Sequence, residues 1–413
     1  MRILRVNSWD GAAGGTEVYI RQVTAELDRR GHETRTLNLA SGPHAPARPE
    51  ERYLEMPSLG ARRVISDPFP AEKVARFLEE NYAEFRPDLV HLHHFRAAFG
   101  AVGRFFRNLS APVVFTAHDS ELVCPIGQLV RPGNVICEGG ILPRCQFTGC
   151  EVGWGLPYEL AQRAAFDRDV APQVRAFLCP SQSIARYLET NGYGPTVHVP
   201  SFVEVPAAVE AAPPPLPSAQ VPPTIGYLGR VEPYKGLDDL VDAVALLRRA
   251  WPAARLTIAG DGSWADATRE RARQRGVGPA VELPGVVAGR DKEHWFAGLH
   301  VLAVPSSRFD NTPLVAMEAM LRARPVVATR IGGIPEVVQD GRTGRTVPFA
   351  DPTALAAGLA EVFSSPDLAR RWGLSGRERA LQRFTAEAHL SRLLAVYRAV
   401  SEGLPLPPPL AAS

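Results

Sequence analysis

Two short segments of this chain put charge where a phosphorylated ligand could be held. The first, Gly229-Arg230-Val-Glu-Pro-Tyr-Lys235-Gly236, directly follows an apolar run that reads as a strand and leads into a stretch that reads as a helix. Arginine offers a planar fork of donors and lysine a point charge, a combination that suits a diphosphate. Taken alone, the segment reads equally as a surface loop with solvated charges. The second is Pro305-Ser-Ser-Arg-Phe-Asp310-Asn-Thr-Pro-Leu-Val-Ala-Met-Glu318, with seven residues between Asp310 and Glu318. Asp310 is expected in a loop and Glu318 inside a helix beginning near Pro313. A helix N-terminus offers free N–H groups to an anion, and a carboxylate one turn in can accept hydrogen bonds from sugar hydroxyls. Arg322, four residues beyond Glu318, supplies the alternative of an ion pair along the helix surface.

His118 ends a predicted strand with Asp119 beside it, which favours a functional over a structural histidine. His91, His93 and His94 read as a strand edge near the site; this short cluster brings no carboxylate to complete a metal set. Cys124, Cys137, Cys145 and Cys150 fall within 27 residues of a Gly- and Pro-rich stretch, 119–153. Structural zinc, free or redox-labile thiols and disulfides are all open to them.

The elements that must position these groups show as alternation. Short apolar runs at 2–7, 88–92, 112–116, 175–179 and 196–199, with a Gly-containing loop and helix after the first, predict a doubly wound α/β domain over 1–203. Residues 204–223 are rich in Pro and Ala and read as a linker unsuited to a sheet or a regular helix. Runs at 224–228, 255–259, 280–283, 300–304 and 325–328 predict a second α/β domain over 224–383, followed by a helix to 402 and a Pro-rich tail to 413. Open parallel sheets bind ligands at the carboxyl ends of their strands, so two facing domains are expected to share a cleft.

Composition agrees. The chain has 413 residues, 45% hydrophobic and 22% charged, and its net charge of +2 lacks the basic footprint of a nucleic-acid binder. Only Lys73, Lys235 and Lys292 are lysines among 46 basic residues, so a lysine beside a site stands out. No apolar run reaches the length of a membrane span or signal peptide, and a cytoplasmic location is expected. Aromatics and arginines mix over 95–109, leaving peripheral membrane contact open against the plainer reading of a packed helix.

The order of motifs from Gly229 to Gly344 resembles the retaining nucleotide-sugar glycosyltransferases of the family 4 type, which have the two-domain GT-B fold. The matching pieces are Gly229-Arg230-x4-Lys235-Gly236, Ile258-Ala-Gly-Asp-Gly262, Leu283-Pro-Gly285, the Asp310…Glu318 pair and Pro325-Val-Val-Ala-Thr-x-x-Gly-Gly-x-x-Glu336. Gly14-Gly15-Thr16-Glu17, Pro87-Asp-Leu-Val-His91 and Thr116-Ala-His118-Asp119 match more loosely.

The resemblance implies that Arg230 and Lys235 hold the donor diphosphate and that Glu318 accepts ribose hydroxyls. Asp310 would touch the donor sugar, where the family usually has Glu. Asn311, Thr312 and Pro313, replacing a Phe-Gly step, would approach sugar and phosphate, with N–H groups from Leu314 and Val315. Gly229 would admit the ligand's close approach, and Gly285, Val286 and Val287 would lie along the base. Gly14 and Gly15 would approach phosphates or acceptor, and His118 would face the reacting sugar. The implied partners are a nucleoside-diphosphate sugar and a glycan, lipid-linked or small-molecule acceptor. The motif set contains no Asp-x-Asp, which predicts transfer without a catalytic metal. A sugar-nucleotide epimerase, a glycan phosphorylase and a non-catalytic glycan- or nucleotide-sugar-binding protein remain alternatives on this architecture.

Overall fold

The structure, a computed structural model, describes residues 1–9, 15–41, 49–56, 71–93, 103, 105–140, 145, 147–148, 150, 156–218 and 220–410. The chain forms two compact units, Met1–Val199 with His389–Ser413, and Pro200–Ala388.

In the first unit, β1 (Arg2–Trp9), β2 (Glu33–Ser41), β3 (Glu51–Met56), β4 (Leu89–Leu92) and β5 (Val113–Thr116) precede a small antiparallel pair, β6 (Val130–Arg131) and β7 (Val135–Ile136). β8 (Val174–Cys179) and β9 (Thr196–His198) complete a seven-stranded sheet of order β3-β2-β1-β4-β5-β8-β9. All neighbours in it are parallel.

The second unit repeats the scheme with β10 (Thr224–Leu228), β11 (Arg255–Ala259), β12 (Val281–Gly285), β13 (Val301–Val304), β14 (Val326–Thr329) and β15 (Gly344–Val347). Its order, β12-β11-β10-β13-β14-β15, is again all parallel. The expected fold class, two parallel α/β domains, is therefore present. In each sheet the order reverses beside the first strand, leaving a crevice at the carboxyl ends of β1 and β4, and of β10 and β13.

Burial explains why these strands were readable. β4, β5, β13 and β14 are buried at every residue, as parallel strands covered on both faces must be. Less readable were β3, charged at Glu51, Arg52 and Glu55, and β15, a four-residue strand containing Gly344 and Arg345. The helices Ala71–Phe85, Pro352–Ser364 and Pro366–Arg383 were also not foreseen.

Residues 204–223 belong with the second unit and contain a short helix, Ala207–Ala211, with Val209 buried. This corrects the expectation that the stretch holds no helix. Ala-Ala-Val-Glu-Ala is proline-free and alanine-rich, and Pro206 immediately precedes the helix, where a missing N–H costs nothing. The last helix, Ala386–Glu402, leaves the second unit at Ala388 and buries His389, Leu390, Leu393, Val396 and Tyr397 in the first. Among the described residues no helix is long and apolar enough to cross a membrane. Of the mixed segment 95–109, residues 95–102 and 104 lie outside the described residues; Phe105 and Phe106 are buried.

Candidate functional site

At the reversal point of the second sheet, the chain leaving β10 carries Arg230 and Lys235, and the chain leaving β13 carries Asp310. The backbone around Arg230 is tied down. Gly229 N–H donates to the Ala259 carbonyl (3.0 Å), Val231 N–H to the Asp261 carbonyl (2.9 Å), and the Tyr227 hydroxyl to the Arg230 carbonyl (2.6 Å). The Arg230 side chain remains exposed, 5.6 Å from the Tyr234 ring centroid, and among the described residues it has no carboxylate partner.

Lys235 closes a 3-10 turn, after which Gly236 takes φ +72°. A Cβ there would sit 1.9 Å from the Pro305 carbonyl oxygen, so only glycine lets the two loops meet. Ser307 N–H donates to the Tyr234 carbonyl (3.2 Å), locking the loops further. Lys235 Nζ then reaches Asp310 Oδ2 at 2.8 Å, and the Ser306 hydroxyl donates to the same oxygen at 2.9 Å. Burial alone would raise the Asp310 carboxyl, but Lys235, Ser306 and Arg230 together outweigh it and hold the group below its ordinary range. The backbone of Asp310 is gripped from β14: Gly333 N–H donates to its carbonyl (2.9 Å), and a Cβ on Gly332, at φ +59°, would lie 2.3 Å from that oxygen.

Pro313 starts the helix Leu314–Leu321, as expected, and no side chain caps it. Asn311 and Pro313 are buried, and Thr312, Leu314 and Val315 are half-buried. Glu318, in the second turn, accepts from Lys292 Nζ at 2.8 Å through Oε1. The alternative ion pair between the Glu318 carboxylate and Arg322 is not made; Arg322 Nη1 bonds the Glu318 carbonyl (2.8 Å). The Arg322 guanidinium instead grips Glu293 (Nε to Oε2, 2.9 Å) and lies 4.6 Å from the Phe296 ring centroid. The reason is tertiary: the helix Gly289–Ala297 presents Lys292 and Glu293 to these side chains. Lys292 is the site residue missed by sequence reasoning, and its rarity was the available signal. Beyond β12, Gly285 has φ +84° with open space where a Cβ would stand, Val286 is exposed and Val287 half-buried.

In the first unit, Gly14 and His94 lie outside the described residues, and Gly15 begins the helix Gly15–Arg29. His118 Nε2 lies 2.9 Å from His93 Nδ1, with the rings stacked, and the Tyr19 ring meets His118 edge-on. Asp119 accepts from Glu121 N–H (2.8 Å) through its carboxylate, forming a tight turn after His118. His91 is fully buried between the Tyr397 hydroxyl (2.6 Å) and the Thr116 hydroxyl (2.7 Å).

Burial, reinforced by Arg5, His118 and His389, holds His91 well below the usual histidine range. It is neutral when folded, whereas an unfolded histidine gains a proton near pH 6.5, so its contribution to stability is lost as pH falls below that value. His91→Gln is expected to flatten the decline in thermal stability between about pH 7 and 5 relative to wild type, by up to roughly 1.4 kcal/mol per pH unit. Parallel melting curves against pH would refute this assignment.

The zinc reading of the cysteines needs correction. Cys124, Cys137, Cys145 and Cys150 line one cavity of about 160 Å³, and all are free thiols. They are engaged separately. Backbone N–H groups of Ile126, Gln128 and Leu129 point at Cys124, whose thiol burial pushes up. Cys145 donates to the Gly140 carbonyl (3.7 Å), and Cys150 meets the Thr148 hydroxyl (3.2 Å). Among the described residues no three His, Cys, Asp or Glu side chains are grouped to hold a metal ion.

The profile of the family described as "Glycosyl transferases group 1" matches residues 222–365, and that of "Glycosyltransferase Family 4" matches residues 13–205. The chain is 28% identical to the D-inositol 3-phosphate glycosyltransferase of Segniliparus rotundus, over 96% of this chain and 87% of that protein. It is 32% identical to the GDP-mannose-dependent alpha-(1-6)-phosphatidylinositol monomannoside mannosyltransferase of Mycolicibacterium smegmatis, over 42% of this chain and 47% of that one. Among solved structures, sucrose-phosphate synthase from Thermosynechococcus elongatus shares the fold with a TM-score of 0.72 at 21% identity, covering 97% of this chain and 99% of that one. Anabaena HepE in complex with UDP shares it with a TM-score of 0.69 at 17% identity, covering 95% and 98%. With one profile on each half, a relative along nearly the whole length and GT-B neighbours, the chain belongs to the group 1 and family 4 glycosyltransferases.

Proposed function

We propose that this glycosyltransferase moves a sugar from a nucleoside-diphosphate donor to an acceptor hydroxyl with retention of anomeric configuration. One observation carries the donor reading: an exposed guanidinium, Arg230, on a rigidly bonded loop at the reversal point of a parallel sheet, with Lys235 five residues on. Such a cation is placed for a phosphate, and its charge gains in value as the leaving diphosphate becomes more anionic.

In this reading Arg230 and Lys235 take the diphosphate, Glu318 the ribose, and the turn from Asn311 to Val315 the sugar and phosphate at a helix start that no side chain caps. Lys235 has three donors, so it can serve the diphosphate while keeping Asp310. Asp310 then acts chiefly by holding Lys235, and a contact to donor-sugar hydroxyls falls to its other oxygen. Gly285, Val286 and Val287 flank the base, and Gly229 admits the phosphates. The donor site lies within 224–383 and the acceptor site within the first unit, with Gly14, Gly15 and His118 on the acceptor side. The acceptor oxygen bonds to the anomeric carbon on the face from which the diphosphate departs; the bond to the phosphate oxygen breaks, and the diphosphate takes the acceptor proton.

A thermal-shift screen against UDP-, GDP-, ADP- and TDP-sugars tests the donor site, since a ligand that binds only the folded chain raises its Tm. At least one is expected to do so, and no shift with any would overturn the reading. Relatives named for D-inositol 3-phosphate and for a phosphatidylinositol mannoside put inositol phosphates first in the acceptor panel.

Transfer is also expected to retain its rate in excess EDTA, because Arg230 and Lys235 supply the positive charge. The chain's Asp-x-Asp pair is occupied: Asp169 is bonded by Arg107 and Arg168, and Asp167 by Arg163 and Tyr193. Loss of activity that manganese restores would overturn metal independence.

A further inference from the structure

Glu318 is anchored at only one of its two oxygens. Oε1 accepts from Lys292 Nζ at 2.8 Å, and Oε2 is buried with no hydrogen-bond partner among the described residues. A buried carboxylate oxygen with nothing to accept is costly, typically by an amount that a hydroxyl donor would recover. Lys292 bonds Oε1 and leaves Oε2 unserved. It stands on the helix Gly289–Ala297, four residues past the exposed Ala288 that caps it, and its neighbour Glu293 is fixed by Arg322. The crossed arrangement, Lys292 to Glu318 and Arg322 to Glu293, joins two helices through four charged side chains and leaves one acceptor open.

We infer that Lys292 is a positioning residue for recognition of the donor's ribose: by holding Oε1 of Glu318, it aims the vacant Oε2 at a ribose hydroxyl. This rests on the donor-site reading above and adds a residue and a selectivity to it. Two consequences follow from the geometry. Losing Lys292 frees the carboxylate to rotate, so nucleotide affinity falls. The loss concerns the nucleoside end and not the reacting bond, so it enters KM more than kcat. Selectivity falls with it, because a fixed acceptor penalises a donor that lacks the hydroxyl, whereas a mobile one swings away.

The test compares wild type, Lys292→Met, Lys292→Arg, Glu318→Gln and the Lys292→Met/Glu318→Gln double variant by calorimetric titration with UDP, GDP and ADP and with the 2′- and 3′-deoxy form of whichever binds. Melting curves establish that each variant is folded, and Lys292→Gln replaces the Met variant if that one does not fold. Lys292→Met is expected to weaken the ribonucleotide about 10- to 100-fold, the range for a hydrogen bond to a charged group. The preference for the ribonucleotide over its deoxy form should shrink in parallel, and Lys292→Arg should recover part of both. The double variant should be no weaker than Glu318→Gln, since the lysine acts through the carboxylate.

Unchanged affinity in Lys292→Met overturns the inference. So does weakened affinity with the ribose preference intact, which would mean that Lys292 acts only as a general positive charge. If wild type binds none of the three diphosphates and no TDP either, the donor-site reading itself fails, a result distinct from either of these.

Discussion

Arg230→Ala is expected to lower kcat/KM for sugar transfer by about 10²- to 10³-fold, the usual cost of deleting one preorganised electrostatic donor, while leaving the melting temperature close to wild type. The two halves of that expectation have separate structural causes. Activity should fall because the guanidinium is exposed and meets no carboxylate among the described residues, so its charge is available to a ligand. Stability should hold because the loop is fixed by main-chain bonds from Gly229 and Val231 and by the Tyr227 hydroxyl donating to the Arg230 carbonyl, all independent of the Arg230 side chain. Lys235→Ala provides the contrast. It removes the Nζ bond from Asp310 and leaves a largely buried carboxylate with the Ser306 hydroxyl as its remaining bonded partner there, so both activity and stability should drop. Transfer kinetics and thermal unfolding of both variants check this. An Arg230→Ala enzyme with near wild-type turnover would remove the guanidinium from the donor site.

The second large effect concerns stability. Arg324 is fully buried and, among the described residues, bonds only main-chain carbonyls: Nε to Phe296 (2.9 Å), Nη1 to Pro214 (3.1 Å), and Nη2 to Pro215 (2.8 Å) and Ala297 (3.2 Å). Phe296 and Ala297 end the helix Gly289–Ala297, where the helix dipole favours a cation; the Phe296 carbonyl also accepts from Leu299 N–H (3.1 Å). The other two carbonyls strap the Pro-rich segment to that helix end. Burial, with Arg322 nearby, pulls the guanidinium down to about 10, still cationic at neutral pH.

Arg324→Ala therefore removes a buried guanidinium and its four bonds to carbonyls, one buried and three part-buried, and should cost about 3–5 kcal/mol, comparable to breaking a buried charged pair. For a unit of this size that corresponds to a fall in melting temperature of roughly 6–20 °C. Arg324→Lys should recover only part, because an ammonium cannot span carbonyls that a planar fork reaches. A shift under about 2 °C in Arg324→Ala would show that the carbonyls find other donors. Since Lys292 rides on the same helix, Arg324→Ala should also weaken nucleotide binding in whatever fraction remains folded.

Several features could be read directly because their signal is local. The strands announced themselves as apolar runs because both faces of each sheet are covered, and the Arg230–Lys235 and Asp310–Glu318 segments because each occupies one loop and the start of one helix. β3 and β15 escaped because charged or glycine-containing strands give little periodicity. Zinc, one of three readings open to the cysteines, finds no support among the described residues, for a related reason. Closeness in sequence brings four thiols to one cavity, but whether they converge depends on what each meets there, and backbone amides, a carbonyl and a hydroxyl engage three of them.

What the sequence determined by itself was therefore the family, the fold class and the make-up of the Arg230–Lys235 and Asp310–Glu318 loops, all encoded in order and short-range spacing. The tertiary structure alone decided the partners. Lys235 reaches across 75 positions to Asp310 and Lys292 across 26 to Glu318, while Arg322 turns from Glu318, four residues away, to Glu293, 29 away. Side-chain charges pair with whatever the packed backbone brings within about 3 Å, and that proximity is a property of crossed strands and helices, which no spacing along the chain expresses.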